Sequence, residues 1–285
     1  MEFFLVTTDH LESQIWFKDD QDFIVAMNAV PLIGYSTGVF VVVFVLMSSH
    51  VHFLLYSTYE QALEFINDYK GHYSHYLSHK YGVKETLRRN SVQIKKLDVT
   101  GEALKRAIAY VQMNPVAAGI CLNPFDYPWG TGNCFFKVSS LRGTPVESLS
   151  ARSRYALFHS RKDVPGGLLL GDDGFILPES YVAIKMVEDL FRTPKSMQHF
   201  LNTSSKARLR IELGASEIPS FKDQVILPMM QELCWKLFGK GSVRELSPEQ
   251  LTELFRQMRY RFSSNINQMA RLTGLSYEEV ARLLD

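Results

Sequence analysis

Apolar residues in the first half of the chain follow two alternating spacings. β-Branched and aromatic runs of strand length are followed by stretches whose apolar residues recur every three or four positions, as in an amphipathic helix. Ser48 and Ser49 separate two of the strand-like runs, so two adjacent strands or one bulged strand both fit. In order, the pattern predicts a strand at 3–7, a helix from Asp19–Asp20 to about 32, strand segments at 39–47 and 51–56, and a long helix at about 60–80.

A further helix is predicted after a basic stretch whose structure the pattern does not define. Thr100 has the side chain of an N-cap, and apolar residues recur at helical spacing as far as Val111. Pro115 is expected to end or kink this helix just past Asn114. The β-α-β-β-α order predicts an α+β fold of the ferredoxin-like type, a small antiparallel sheet with helices on one face.

The composition changes after Phe136. Ser, Gly, Pro and Arg dominate residues 138–174, and glycine-rich turn signals occur there. We therefore predict a first domain at 1–137, a linker or irregular segment at 138–178, and a mainly helical C-terminal region at 179–285. Helices are expected at 179–191, 196–213, 221–238 and 248–262, followed by two short helices within 263–285.

The bulk composition, 46% apolar and 21% charged, is that of an ordinary folded soluble protein. The three cysteines, Cys121, Cys134 and Cys234, are far apart and fit neither a disulfide framework nor a zinc knuckle. No basic leader precedes an apolar core at the N-terminus. The longest apolar run, 39–47, is far shorter than the roughly 20 residues of a membrane helix. These features indicate a cytoplasmic protein.

Charge along the chain is uneven. The net charge is only +1, but residues 70–106 hold nine Lys or Arg against three acidic residues. A phosphate backbone would favour such a segment, although a solvated helical face explains the same charge. The candidate DNA contacts are Lys70, His75, Lys80, Arg88, Arg89, Lys95, Lys96 and Arg106, together with Arg282 near the C-terminus.

His50 and His52 are the first candidate metal ligands. Residues i and i+2 of a strand project to the same side, so both imidazoles face one way while Val51 faces the core. Two imidazole nitrogens can hold a divalent ion and leave positions for substrate oxygens. Chance is the alternative, because about one shuffled chain in five with eight histidines would contain such a pair.

Tyr110 and Asn114 are four residues apart on the predicted helix and therefore neighbours on one face. The amide oxygen of Asn114 could be a third ligand, and the Tyr110 phenol could attack a phosphodiester once a cation or a base activates it. The alternative is a core tyrosine of an amphipathic helix. Gln112 is a weaker candidate ligand, because two residues along a helix point about half a turn away.

Three ordered blocks resemble a known family. Residues 45–55 (VLMSSHVHFLL) resemble the HUH signature of single-tyrosine transposases. Residues 110–120 (YVQMNPVAAGI), followed by 126–129 (DYPW), resemble the catalytic-tyrosine block of the REP-associated tyrosine transposases, which are insertion-sequence-200-like. The opening, residues 6–8 and then 15–20 (IWFKDD), is similar to the first strand and loop of these transposases. The resemblance covers about residues 3–135.

This resemblance implies specific chemistry. His50, His52 and Asn114 would bind a divalent metal, Mg²⁺ or Mn²⁺, and Tyr110 would be the nucleophile. The implied reaction is cleavage of single-stranded DNA beside a hairpin, which leaves a 5′-phosphotyrosine and a free 3′-OH. The chain has Ser48-Ser49 where the family usually shows Pro-Asn, and Gly130-Thr131 where it usually has a serine pair. Both differences bear on how the substrate is positioned.

Two further features have open interpretations. His72, His75 and His79 share one helical face, where they could bind a metal, contact phosphate or lie on a half-buried helix.

Residues 265–284 have the spacing of a helix-turn-helix, with Ser276 and Glu279 as a capping box. In that case Arg282 and three upstream arginines would contact phosphates, whereas a helical hairpin that packs on the main domain is the alternative. The upstream arginines are Arg256, Arg259 and Arg261.

The leading hypothesis is thus a metal-dependent nickase and strand-transferase that acts on single-stranded, hairpin-forming DNA. The second is a non-catalytic DNA-binding regulator that retains the transposase fold. The third is a metallohydrolase without DNA specificity, which gives Tyr110 and the basic segment no role. The sequence is compatible with a homodimer and with a monomer.

Overall fold

The first part of the molecule is built on one antiparallel sheet. The computed structural model describes residues 1–8, 16–82, 87, 92–97, 100–118, 120–137, 141–203, 223–262 and 264–284. The four strands are arranged in the order β2-β3-β1-β4, and neighbours pair antiparallel. Their bounds are β1 Glu2–Thr8, β2 Phe40–Met47, β3 His50–Ser57 and β4 Val92–Lys96.

Two helices cover one face of this sheet: α1 Asp20–Thr37 and α2 Tyr59–Tyr81. Phe53 of β3 packs against the rings of Phe65 and Tyr69 on α2, with centroid distances of 5.0 and 5.2 Å. The β1-α1-β2-β3-α2-β4 order with this strand arrangement is the ferredoxin-like sandwich, and the predicted α+β fold class is confirmed.

Strands β2 and β3 form a hairpin. The turn at Ser48 and Ser49 joins them, and Val45 pairs with His52 in the register. Of the two alternatives that fit the sequence, the structure has two adjacent strands. A register irregularity does occur, but at Val41–Val43, well before the turn.

Local signals account for several helix ends. Thr58 and Gln61 form a capping box at the start of α2, and Gly38 ends α1 with a φ of 70°. Helix α1 continues five residues past the predicted end near Leu32. Pro31 lies inside the helix and does not end it. Strand β4 was not predicted, since its five residues lie in the basic stretch, where the sequence pattern does not define a structure.

Helices α3 (Gly101–Gln112) and α4 (Asn114–Ala117) follow. The Thr100 hydroxyl accepts a hydrogen bond from the backbone N of Ala103 at 3.2 Å, which confirms the predicted N-cap. The helix ends at Gln112 instead of past Asn114. Met113 takes a φ of −86° and a ψ of 0°, and Pro115 is placed in the first turn of the next helix, where proline is tolerated.

Residues 141–203 contain the short strands β5 Thr144–Pro145 and β6 Leu169–Leu170 and the helices α5 Ala151–Phe158, α6 Ile184–Phe191 and α7 Pro194–Thr203. Buried residues from Val146 to Leu201 belong to the same hydrophobic cluster as the sheet. The helix predicted at 179–191 begins at Ile184. The helix predicted at 196–213 is described only as far as Thr203, and its remainder lies outside the described residues.

The C-terminal part consists of α8 Asp223–Phe238, α9 Pro248–Phe262, α10 Ile266–Thr273 and α11 Tyr277–Leu284. These helices share a second hydrophobic cluster. The predicted helix at 248–262 and the two short terminal helices are confirmed. The domain boundaries at 137 and 178 remain a prediction. Within the described ranges, no helix is long and apolar enough to cross a membrane.

Residues 127–131 close the free edge of β2. The backbone N of Leu46 donates to Trp129 O at 2.9 Å, and the backbone N of Thr131 donates to Phe44 O at 3.0 Å. Gly130 bridges to Val45 between these two bonds. The edge is therefore paired instead of being left open to another chain.

Gly130→Ala is expected to destabilise the protein by about 1–3 kcal/mol, because it overpacks this edge. A Cβ at Gly130 would lie 2.6 Å from Phe44 O and 3.1 Å from Val45 Cα, both backbone atoms. Gly71→Ala is the matched control, since no atom lies within 4 Å of a Cβ in that position on α2. The control is expected to stabilise by about 0.5–1 kcal/mol. Urea unfolding measures both, and equal stability of the two variants would contradict the close approach.

Candidate active site

The two histidines of β3 lie on the sheet face opposite α1 and α2. Phe53 faces α2, so the alternation of side chains along the strand turns His50 and His52 to the other face. Their ring centroids are 4.7 Å apart and the rings are nearly perpendicular, at 86°. The exposed fractions of His50 and His52 are only 5% and 2%. The two imidazoles thus face the same side of the sheet, as predicted, and both are almost completely buried.

Helix α3 packs against β2 and β3 on this same face. The ring of Tyr110 stands edge-on to His52, with centroids 5.3 Å apart and an interplanar angle of 87°. Tyr110 as a residue is 45% exposed. The fold therefore brings together a tyrosine that solvent can reach and the buried histidine pair, although the two elements are distant in sequence.

Burial raises the pKa of Tyr110 above its ordinary value. The phenol is therefore neutral at pH 7 and a poor nucleophile in the protein alone. A positive charge close to Oη, or a base that accepts its proton, would be needed for attack on phosphorus.

Each imidazole has a hydroxyl at its Nδ1. Ser49 Oγ lies 2.9 Å from His50 Nδ1, and Thr7 Oγ1 lies 3.1 Å from His52 Nδ1. Thr7 reaches His52 because the two residues are register partners across β1 and β3. With Nδ1 engaged, Nε2 is the nitrogen of each ring that could coordinate a metal.

Asn114 follows Tyr110 by one helical turn. Its side-chain Nδ2 donates to the backbone O of Tyr110 at 2.6 Å. The amide oxygen Oδ1 is then the atom of this side chain that could serve as a ligand.

Gln112, the weaker candidate ligand, connects α3 to the sheet. Its side chain is buried, and its Nε2 donates to Thr131 O at 3.1 Å and to Thr131 Oγ1 at 3.3 Å. Thr131 Oγ1 in turn accepts from the backbone N of Phe44 at 3.0 Å. Gln112 therefore anchors the end of α3 to β2 through its Nε2.

A divalent ion fits this donor set. Two imidazole nitrogens and one amide oxygen would form an incomplete shell that phosphate and water oxygens would complete. The nitrogen donors suit Mn²⁺ better than Mg²⁺, which prefers oxygen ligands. In the described part of the chain, no group of three or more His, Cys, Asp or Glu side chains could hold a metal. A site at His50 and His52 thus depends on Asn114 or on the substrate for further ligands.

Three of the nine candidate DNA contacts lie on the sheet face opposite the histidine pair. Helix α2, which carries Lys70, His75 and Lys80, covers the other face of the sheet. Lys80 donates to both Asp19 and Asp22 at 2.7 Å, so a phosphate would compete with two carboxylates. Lys70 is 4% exposed beside a cleft of about 480 Å³, and burial lowers its pKa.

Of the remaining candidates, Arg106 lies closest along the chain to the proposed nucleophile. It is exposed on α3 one turn before Tyr110, on the same side of the helix. Lys95 and Lys96 are exposed on β4, where Lys96 pairs with Glu2 at 2.6 Å. Arg88 and Arg89 lie outside the described residues. DNA contact by this set remains a prediction.

The histidines of α2 are not arranged as a metal centre in the described residues. The pKa of His72 is lowered to about 4, first by burial and then by repulsion from His159, Lys162 and His75. His72 is therefore neutral at pH 7 and adds no positive charge for phosphate. His75 and His79 are exposed on the same helix.

The C-terminal helix pair has the predicted capping box. The backbone N of Ser276 donates to Glu279 Oε2 at 2.8 Å, and the backbone N of Glu279 donates to Ser276 Oγ at 3.2 Å. Arg282 is exposed on α11, but Glu278 and Glu279 share the exposed surface of this short helix. Arg261 is buried and contacts Asp20 at 3.2 Å, so α9 packs on the main domain. Phosphate contact by Arg282 remains a prediction.

Comparison with known proteins gives one likeness. No family model matches the chain, and no curated protein does. The solved structure of a REP-associated tyrosine transposase bound to a REP hairpin is 14% identical, with a TM-score of 0.37. The match covers 46% of this chain and 77% of that chain.

Proposed function

We propose that the protein is a metal-dependent endonuclease and strand-transferase for single-stranded, hairpin-forming DNA, and that it acts through a phosphotyrosine. The observation that supports this best is the meeting of Tyr110 with the histidine pair, at a centroid distance of 5.3 Å from His52. A phenol, two imidazoles and an amide on one face of a sheet are the groups that this chemistry requires.

In the proposed reaction Tyr110 Oη attacks the phosphorus of the scissile phosphodiester. The new bond joins Oη to phosphorus, the bond from phosphorus to the 3′-oxygen breaks, and the phenolic proton ends on the departing 3′-OH. A divalent ion, when bound, would polarise the phosphoryl oxygen and favour the phenolate. A second 3′-OH can then attack the phosphotyrosine, which restores the phenol and joins the strands.

Residues near Tyr110 would bind the metal ion, contact the DNA and hold the helix of the nucleophile in place. His50 and His52 would hold the ion, with Asn114 Oδ1 as a third ligand. Arg106, exposed one turn before Tyr110, is placed to contact a phosphate that flanks the cleaved bond. Gln112 and Thr131 keep the nucleophile's helix attached to the sheet during both steps.

One observation favours a second candidate, a DNA-binding regulator that does not cut. The histidines are only 5% and 2% exposed, which restricts access to their nitrogens. The two candidates differ in one outcome, covalent attachment of DNA to the protein.

The test is adduct formation with labelled single-stranded hairpin libraries. Purified protein and Mn²⁺ or Mg²⁺ are expected to yield an oligonucleotide that stays on the protein in denaturing gels. Mass spectrometry of the digested adduct should place the DNA on the peptide that contains Tyr110. EDTA is expected to suppress the adduct and leave non-covalent binding. Hairpin binding without any adduct, with either metal, would support the regulator instead.

A further inference from the structure

We propose that the hydroxyls of Thr7 and Ser49 are positioning groups that hold His52 and His50 as their Nδ1–H tautomers. Their purpose would be to leave Nε2 of each ring deprotonated and able to bind a divalent ion. This inference deepens the proposed function and rests on it, because it assigns residues to the same metal site.

The geometry places one hydroxyl at each ring. Ser49 Oγ is 2.9 Å from His50 Nδ1, and Thr7 Oγ1 is 3.1 Å from His52 Nδ1. The hydroxyls come from different places, since Ser49 belongs to the β2–β3 turn and Thr7 to the neighbouring strand β1. Two separate parts of the fold therefore supply the same interaction to the two candidate ligands.

Burial makes these hydroxyls important. A neutral imidazole has one N–H, and the other nitrogen is the one that can bind a metal. A hydroxyl oxygen that accepts from Nδ1–H fixes both the tautomer and the orientation of the ring. Bulk water is a poor substitute here, because His50 and His52 are almost completely buried.

At Thr7 and Ser49 the hydroxyl can be removed with little change in the shape of the side chain. Thr7→Val keeps the branched shape and replaces only Oγ1 with a methyl group, and Thr7→Ser restores a hydroxyl without the methyl group. Ser49→Ala and Ser49→Thr form the same kind of pair. The matched control is Ser57→Ala, which removes a β3 hydroxyl that donates to Thr58 O at 2.9 Å.

The first measurement is Mn²⁺ affinity of the full chain, by titration calorimetry or by the EPR signal of free Mn²⁺. Loss of such a supporting group is expected to weaken binding by about 10- to 100-fold in Thr7→Val and in Ser49→Ala. Thr7→Ser and Ser49→Thr should recover most of that loss, and Ser57→Ala should bind like the wild type. Thr7→Val and Ser49→Ala proteins that bind Mn²⁺ as tightly as the wild type would overturn the proposal.

The second measurement needs no metal. Long-range ¹H–¹⁵N spectra of the imidazoles are expected to show the Nδ1–H tautomer for His50 and His52 in the wild type. In Thr7→Val and Ser49→Ala the affected ring should become a mixture of tautomers. Unchanged tautomers would overturn the assignment of the hydroxyls. A wild type with the expected tautomers that binds no Mn²⁺ would instead contradict the proposed function and leave the tautomer assignment in place.

Discussion

Tyr110→Phe is expected to abolish the covalent adduct with hairpin DNA and to leave non-covalent hairpin binding unchanged. The substitution removes Oη, the atom proposed to join to phosphorus, so adduct formation should fall by at least about 10³-fold. The phenyl ring retains the edge-on contact with His52 at 5.3 Å. Because the side chain is 45% exposed, the free energy of unfolding should change by less than about 0.5 kcal/mol.

The measurement is a denaturing gel of ³²P-labelled hairpin DNA with protein and Mn²⁺, beside a mobility-shift assay of the same samples. Tyr35→Phe is the matched control, since Tyr35 is an exposed tyrosine at the end of α1 and lies on the other side of the sheet. The control should form adduct at the wild-type rate. A persistent adduct in Tyr110→Phe would show that another residue is the nucleophile.

Local sequence signals predicted the parts of the fold that depend on neighbouring residues. Thr100 and Ser276 are N-terminal helix signals, and the hydrogen bonds of both are present in the structure. Strand β4 could not be predicted in this way, because its identity as a strand comes from pairing with β1. The same holds for residues 127–131, which pair with the edge of β2 through contacts between distant parts of the chain.

In the candidate site, too, features set by neighbouring residues could be predicted and features set by distant contacts could not. The common face of His50 and His52 follows from the two-residue period of a strand, and sequence alone was sufficient for it. The hydroxyl of Thr7 could not be recognised, since it reaches His52 only through the β1–β3 register. The contact of Gln112 with Thr131 could not be predicted either, because the two residues are 19 positions apart in the chain.

Lys80 shows how a long-range ion pair changes the meaning of a basic residue. In sequence it belongs to the basic segment, but in the fold it lies between Asp19 and Asp22 at the start of α1. Asp22 is completely buried, and it also accepts from Tyr76 Oη at 3.0 Å and Tyr81 Oη at 2.9 Å. This cluster joins the first turn of α1 to the last turns of α2, the two helices that support the sheet beneath the histidines.

The charges of the cluster are set by opposing effects. Burial alone would raise the pKa of Asp19, but hydrogen bonds from Lys80 and from the backbone N of Asp22 outweigh it and lower that pKa. Burial alone would lower the pKa of Lys80, but hydrogen bonds to Asp19 and Asp22 outweigh it and raise that pKa. Both groups are therefore charged at pH 7, and the buried carboxylate of Asp22 accepts hydrogen bonds from Lys80, Tyr76 and Tyr81.

Asp22→Ala is expected to lower the free energy of unfolding at pH 7 by about 2–4 kcal/mol, because buried donors lose their acceptor at about 1–3 kcal/mol each. The substitution leaves the hydroxyl of Tyr76 and the backbone N of Lys18, 2.8 Å from Asp22 Oδ2, without this acceptor. Tyr81 Oη and Lys80 Nζ keep Asp19, at 3.3 and 2.7 Å. Glu2→Ala, which breaks an exposed pair with Lys96, is the control and should cost at most about 1 kcal/mol. Urea unfolding followed by circular dichroism gives both values. Equal losses in the two variants would mean that the Asp22 cluster contributes no more to stability than a surface ion pair.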